Sequence, residues 1–289
     1  MNTILPRLFA IFRGAGHEPL TGYSTHHFPK WDDAPFTVFL RDGKPVGCAG
    51  LSLQEVMFLE HFQEYIRPKR IFIVGNAMGW STVSLALIFP DALTVAIDAL
   101  TTGVEWTNEL IARHRLSAVA VEARSPGDVA AVVKRYLKGP IDVSLIDATH
   151  TNDAIIADFT AVHAVSATNG IHLFHDVINR RMLPGFTRIV GDYNLSGKVF
   201  PRTPSGMALA YTAISPEFSN YLDCFVGPLS VPEIPSRFKS SWIKSVVPKF
   251  VKARVHKFRQ SRQMDRITKD LHQGKGTLPA APDRPVHPS

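Results

Sequence analysis

The chain has 289 residues, is 45% hydrophobic and 20% charged, and carries a formal net charge of +7. That supplies one sizeable α/β core with additions at both ends. Its two cysteines, Cys48 and Cys224, exclude a disulfide framework and a metal finger, and no apolar run reaches the about 18 residues of a membrane span.

The charge is unevenly placed. Residues 237–275 hold twelve Lys or Arg against two acids, a local +10, whereas residues 1–236 hold 19 basic and 22 acidic residues. Val251, Val255, Phe258, Ile267 and Leu271 follow helical spacing within this basic stretch, so a basic amphipathic tail is expected over 236–273. Such a helix suits an anionic membrane surface or a polyanion, or packs on its own domain. Aromatic stacking positions are few there, which disfavours nucleic acid. Residues 274–289 are proline-rich and read as disordered.

At the start, MNTILPRLFAIFRGAG has an apolar patch interrupted by Pro6, Arg7 and Arg13, and reads as a short amphipathic or disordered arm rather than a signal peptide. Residues 17–50 mix Pro, His and aromatic residues; His26, His27, Trp31 and Asp32 are candidate lid residues of a 1–50 extension. Ser52 to Glu55 forms an S-L-Q-E capping box, and Val56, Leu59, Phe62 and Ile66 give the following helix an apolar face. Ile71 to Val74 suits a buried parallel strand. Gly75 and Gly79 bracket a turn, after which Ser81 or Thr82 can cap a helix whose free N–H groups favour an anionic ligand group. Leu93 to Ile97 is a second strand, ending in Asp98 at the edge where open α/β sheets bind ligands; a carboxylate there can accept from both hydroxyls of a ribose.

Trp106 to Arg115 reads as a crossover helix and Ala118 to Val121 as a third strand, followed by Arg124, Ser125 and Pro126, with Ser125 expected to cap a helix whose first turn holds Pro126. Ile141 to Ile146 is a fourth strand ending in Asp147, with Ala148, Thr149 and His150 after it. A helix over Asp153–Ser166 leads to a fifth strand, Ile171 to Phe174, ending in His175 and Asp176. Arg180, Arg181 and Arg188 follow as possible anion binders. Phe186 to Gly191 is a helix or strand, and Met207 to Thr212 returns as a strand after the turn Thr203-Pro204-Ser205-Gly206.

The glycine spacing is G-x-x-x-G rather than the G-x-G-x-x-G of a dinucleotide site, which disfavours an NAD-type oxidoreductase. With GNAMGWST at residues 75–82 and FHDV at 174–177, residues 50–212 resemble the class I S-adenosylmethionine-dependent methyltransferases. The resemblance implies a doubly wound, mostly parallel, Rossmann-like seven-stranded sheet over residues 51–235, with the seventh strand antiparallel beside the fifth. It implies that Gly75, Asn76, Gly79, Ser81, Asp98, Ser125 and Asp147 bind the cofactor. In related O-methyltransferases acids at the two later strand ends hold a magnesium-type ion, so Asp147, His175 and Asp176 are candidate ligands for Mg2+. Here Thr149 replaces one acid of the family's I-D-G-D-H loop.

The chemistry suits these residue types. Methyl transfer is an in-line displacement that needs donor and acceptor aligned and the acceptor proton removed. A histidine is the natural base near neutrality, making His150, His175 and Asp176 the catalytic candidates. The expected function is O-methylation of a small molecule or glycan by a cytoplasmic enzyme, peripheral at the inner membrane face through its tail. The alternative is a non-catalytic binding protein of the same fold.

Overall fold

A computed structural model describes residues 3–22 and 36–229. The basic tail, the proline-rich end and the lid candidates His26, His27, Trp31 and Asp32 lie outside the described residues.

The N-terminal segment is a helix, α1 (Leu5–Gly14), with Pro6 in its first turn. It is no loose arm. Leu8, Ile11 and Phe12 are buried, and Phe12 stacks on Phe39 at 4.9 Å and meets Trp80 at 5.2 Å. The apolar patch thus belongs to the core, because α1 covers a face of the domain that its own sheet leaves open. Three short strands not foreseen from the sequence follow, β1 (Glu18–Leu20), β2 (Thr37–Arg41) and β3 (Lys44–Ala49), paired antiparallel in that order. Helix α2 (Leu53–Glu60) starts with the expected capping box: Ser52 Oγ accepts from Glu55 N and Glu55 accepts from Ser52 N at 2.8 Å.

The main sheet contains β4 (Arg70–Val74), β5 (Leu93–Asp98), β6 (Ala118–Glu122), β7 (Ile141–Ile146), β8 (Ser166–Phe174), β9 (Ser196–Val199) and β10 (Ala208–Tyr211). Its order is β6-β5-β4-β7-β8-β10-β9. The first five strands are parallel, and β10 runs antiparallel between β8 and β9. The expected inserted antiparallel strand is therefore present, and β9, a strand not placed from the sequence, completes the expected seven. Along β4 the side chains alternate: Ile71 and Ile73 join the core beneath α1, while Phe72 and Val74 pack with Val95, Ile97, Val129 and Val132 on the other face. Burial on both faces explains the unbroken apolar run.

The connecting helices are α3 (Trp80–Ile88), α4 (Thr101–His114), α5 (Val129–Val132), α6 (Asn152–His163) and α7 (Leu183–Asp192), with α8 (Pro216–Asp223) after the sheet. Two capping expectations fail. The N-cap of α3 is Gly79, in the left-handed region at φ 79° and without a side chain to cap with, while Thr82 Oγ1 donates to Asn76 Oδ1. Residues 125–128 form a turn rather than a first helical turn; α5 starts at Val129 behind Asp128, whose carboxylate accepts from Arg124 N at 2.7 Å. Among the described residues no helix is long and apolar enough to cross a membrane.

Replacing Phe12 by Ala should destabilise the domain by about 3–5 kcal/mol, as for other buried aromatics cut to alanine. Urea unfolding of the two proteins measures it; a change below about 1 kcal/mol would mean that α1 does not belong to the core.

Candidate functional site

The strand register decides which residues meet. Val74 is level with Ile146, and Ile146 with Phe174, so the next residues Gly75, Asp147 and His175 emerge side by side. Each ladder runs one bond past its strand: Asp147 N donates to Val74 O at 2.8 Å, His175 N to Ile146 O at 3.1 Å, and Gly75 N to Ile97 O at 3.0 Å. The sequence of connections reverses between β4 and β7, the switch point at which doubly wound sheets open a crevice.

The turn beyond β4 is locked. Asp98 Oδ2 accepts from Asn76 N and Ala77 N at 2.9 and 2.7 Å, and its Oδ1 from Leu100 N at 2.9 Å. Asn76 is buried; its amide donates to Ala77 O, Gly103 O and Thr107 Oγ1. Asn76 is thus a brace of the loop rather than a free ligand group. Gly75 has φ 102°, and a side chain there would strike the Asp147 carbonyl, while one at Gly79 would strike Thr107. These two glycines are required both for backbone angle and for close packing.

At the β7 and β8 ends lies a cluster of charge. His175 is buried, with Nε2 3.0 Å from Glu55 Oε2 and Nδ1 3.2 Å from Asp147 Oδ1. The Nδ1 contact is an ion pair without an aligned hydrogen bond. His150, 31% exposed, places Nε2 3.2 Å from Asp147 Oδ1 and 3.4 Å from Asp176 Oδ2. Arg180 Nε reaches Asp176 Oδ2 at 3.6 Å. Asp176 adopts φ 58°, a conformation unusual for a residue with a side chain and typical of constrained sites. Its Oδ1 is buried without a hydrogen-bond partner.

Burial alone would lower the pKa of His175, but the charges of Asp147 and Glu55 raise it well above the ordinary 6.5. Conversely burial would raise Asp147, and His175 and His150 outweigh it and hold the carboxyl at about 2. Glu55 is lowered for the same reason, with help from Ser205 and Ser52. Asp176 is raised, by burial and by the nearby Asp147 charge.

Asp147, His150 and His175 offer ligand atoms within 4.8 Å of one another. Even so, Asp147, His175 and Asp176 do not fit a magnesium ion. His175 Nε2 is engaged by Glu55, so only Nδ1, 3.2 Å from Asp147 Oδ1, could face an ion, and it would offer nitrogen rather than oxygen. Magnesium asks for an oxygen-rich octahedral shell, and the orphan Asp176 Oδ1 supplies one donor toward it.

Ser125 Oγ is buried beside the Asp158 carboxyl without an aligned hydrogen bond. Ser81 is buried in the first turn of α3. Arg188 is exposed and pairs with Asp192 of its own helix at 3.1 Å, and the carbonyl of Arg181 accepts from Asn152. Two participants escaped the sequence. Glu55 shows there only as the acid of a capping box, and Gly50 only as a loop glycine, although a side chain on it would strike the Asp147 carboxylate.

The signs of these shifts set a pH window. Asp147, held below its unfolded 3.8, contributes stability above that value and loses it as pH falls through about 2. His175, held above 6.5, contributes fully below 6.5 and loses it as pH rises through its folded pKa. Asp147→Asn should cost about 3–5 kcal/mol by stranding a buried charge. Denaturant unfolding across pH should find this loss greatest between pH 3.8 and 6.5. A loss that keeps growing towards pH 2 would refute the pairing.

Residues 72–177 match the family model described as a methyltransferase domain. Comparison with curated proteins gives no match. Among solved structures, the O-methyltransferase of Bacillus cereus in complex with S-adenosylhomocysteine is 16% identical with a TM-score of 0.47, covering 56% of this chain and 82% of that one. TomG of Streptomyces achromogenes, an O-methyltransferase of tomaymycin synthesis solved with S-adenosylmethionine, is 15% identical with a TM-score of 0.48, covering 74% and 91%. The matched span takes in the glycine turn, Asp98, Asp147 and the His175-Asp176 pair, on the strand order seen in the sheet. Residues 72–177 of this chain thus match a methyltransferase domain, laid on a seven-stranded, mostly parallel sheet.

Proposed function

We propose that the chain methylates a hydroxyl oxygen of a small-molecule acceptor, with His150 as the general base. The observation that carries this reading is the exposure of His150. In a cluster whose other histidine is sealed between two carboxylates, it is the one that an acceptor can reach.

Its Nε2 lies between Asp147 and Asp176 and so holds the ring proton, which leaves the lone pair on Nδ1. The acceptor O–H proton passes to Nδ1 as the oxygen attacks. S-adenosylmethionine, when bound, would supply a sulfonium methyl to the oxygen, with the carbon–sulfur electron pair leaving on sulfur. Arg180, half-exposed beside Asp176, lies where it can meet an anionic group on the acceptor.

Several features support the cofactor assignment. The N-terminus of α3 has no side-chain cap, so its free N–H groups suit the methionine carboxylate. Asp98 has three of its about four acceptor positions filled by backbone, leaving one for a ribose hydroxyl. Ser125 Oγ has no aligned partner and borders the position expected for adenine.

Calorimetric titration with S-adenosylhomocysteine should show micromolar binding to the native chain and none to Asp98→Ala. Absence of binding to the native chain would defeat the cofactor assignment. His150→Ala should keep that binding and lose about 10²- to 10⁴-fold in the rate of methyl transfer from labelled S-adenosylmethionine to a panel of hydroxylated acceptors. An undiminished rate would remove His150 from the role of base.

A further inference from the structure

The edge of the main sheet at which its parallel strands begin, opposite the crevice, is strongly basic. Arg67, Lys69 and Arg70 lead into β4, and Arg113 and Arg115 stand at the end of α4 just before β6. Lys134, Arg135 and Lys138 belong to the helical turn after α5 that feeds β7. These strands are neighbours in the run β6-β5-β4-β7, so their entries span roughly 14 Å at the usual strand spacing. Arg70 ties two of the entries together, since a side chain on Gly139 would strike its guanidinium. Three acids, Glu64, Asp91 and Asp142, share the edge, and Asp142 turns its carboxylate to the backbone N–H groups of Lys69 and Arg70 at 2.8 and 2.9 Å. None of the eight cations forms an ion pair among the described residues, and all but the partly buried Arg70 are exposed.

A helix end favours cations in its last turn, which accounts for Arg113, Lys134 and Arg135. It does not account for Arg67 and Lys69, which lead into a strand. Nor does it account for the residues that end the two helical stretches. Arg115 at φ 51° and Lys138 at φ 54° are both left-handed, where glycine or asparagine is the ordinary choice. A long cation kept at two such positions points to use of the side chain itself. Arg7 of α1 widens the basic field: burial first, then the charges of Arg113 and Arg7, hold the pKa of His114 below its usual value.

The cations are spread over three entries and do not converge, so one phosphate cannot engage them together. A single-stranded nucleic acid would need stacking faces, and the tyrosines of this edge are occupied: Tyr65 stacks on Phe218 and Tyr221, and Tyr136 lies under Arg135. An extended layer of negative charge meets all of the entries at once. We infer that the strand-entry edge is a docking surface for an anionic lipid bilayer, held through headgroup phosphates. Docked in this way, the domain turns Gly75, Asp147 and His150, at the opposite edge, toward solvent, where a small molecule reaches them. Such docking is independent of the proposed methyl transfer, and of the basic residues 237–275 that lie outside the described residues.

Cosedimentation of the full-length chain with lipid vesicles tests it. The native chain should bind vesicles of equal parts phosphatidylglycerol and phosphatidylcholine, more weakly as salt rises, and should leave pure phosphatidylcholine alone. Each cation removed should cost about five-fold in affinity. Arg67→Gln with Lys69→Gln should therefore weaken binding by more than about ten-fold, and Lys134→Glu, Arg135→Glu and Lys138→Glu together by more than about 100-fold, with residues 237–275 intact in both. The first pair lies outside any helix and keeps the test decisive where the triple variant fails to fold, as read from urea unfolding. No binding by the native chain would overturn the docking surface. Native-strength binding by a folded variant would also overturn it and assign the lipid to residues 237–275. Tighter capture of single-stranded RNA than of vesicles, lost in the same variants, would overturn it in favour of a nucleic acid.

Discussion

A histidine buried at the end of an apolar parallel strand is a costly thing to fold around unless its charge is matched at both nitrogens. His175 meets that condition through Glu55 and Asp147, and much of the domain is arranged to allow it. Glu55 must sit in the first turn of α2, which the Ser52 cap secures. Asp147 must leave β7 level with His175, which the β7–β8 register secures. Gly50 must lack a side chain so that the Asp147 carboxylate fits against it.

The cofactor-facing side of the same edge is organised differently, by neutral and singly charged groups that brace backbone. Asp98 and Asn76 spend most of their hydrogen bonds on the glycine turn and on α4, so that the loop has one shape before any ligand arrives. A loop ordered in advance costs less to bind than one that must be ordered by its ligand. The two halves of the crevice thus divide the work, a rigid backbone cradle on one side of the switch point and a hydrogen-bonded charge chain on the other.

Within this chain of charges the two histidines are not equivalent, although the sequence presents both as an acid–histidine pair at a strand end. His175 directly follows β8 and is buried; His150 lies four residues beyond β7, in a loop, and stays partly in solvent. Distance from the end of the strand, not residue type, separates a buried histidine held between carboxylates from a candidate base.

How legible the molecule was depended on the range of the interaction concerned. The β4–α3–β5 unit, the capping box at Ser52 and the strand ends at Asp98, Asp147 and His175 were readable, because each follows from local periodicity, a short-range cap or a glycine that only a turn tolerates. The helical, core-forming nature of residues 5–14 was not, since the face that α1 covers is built by Phe39 and Trp80 from distant parts of the chain. Nor was the role of Glu55, whose partners His175 and Ser205 lie 120 and 150 residues away. The sequence by itself determined the elements and the residue types brought to one sheet edge. Only the tertiary structure decided which carboxylate pairs with which histidine, because that pairing depends on contacts across the fold that no local pattern encodes.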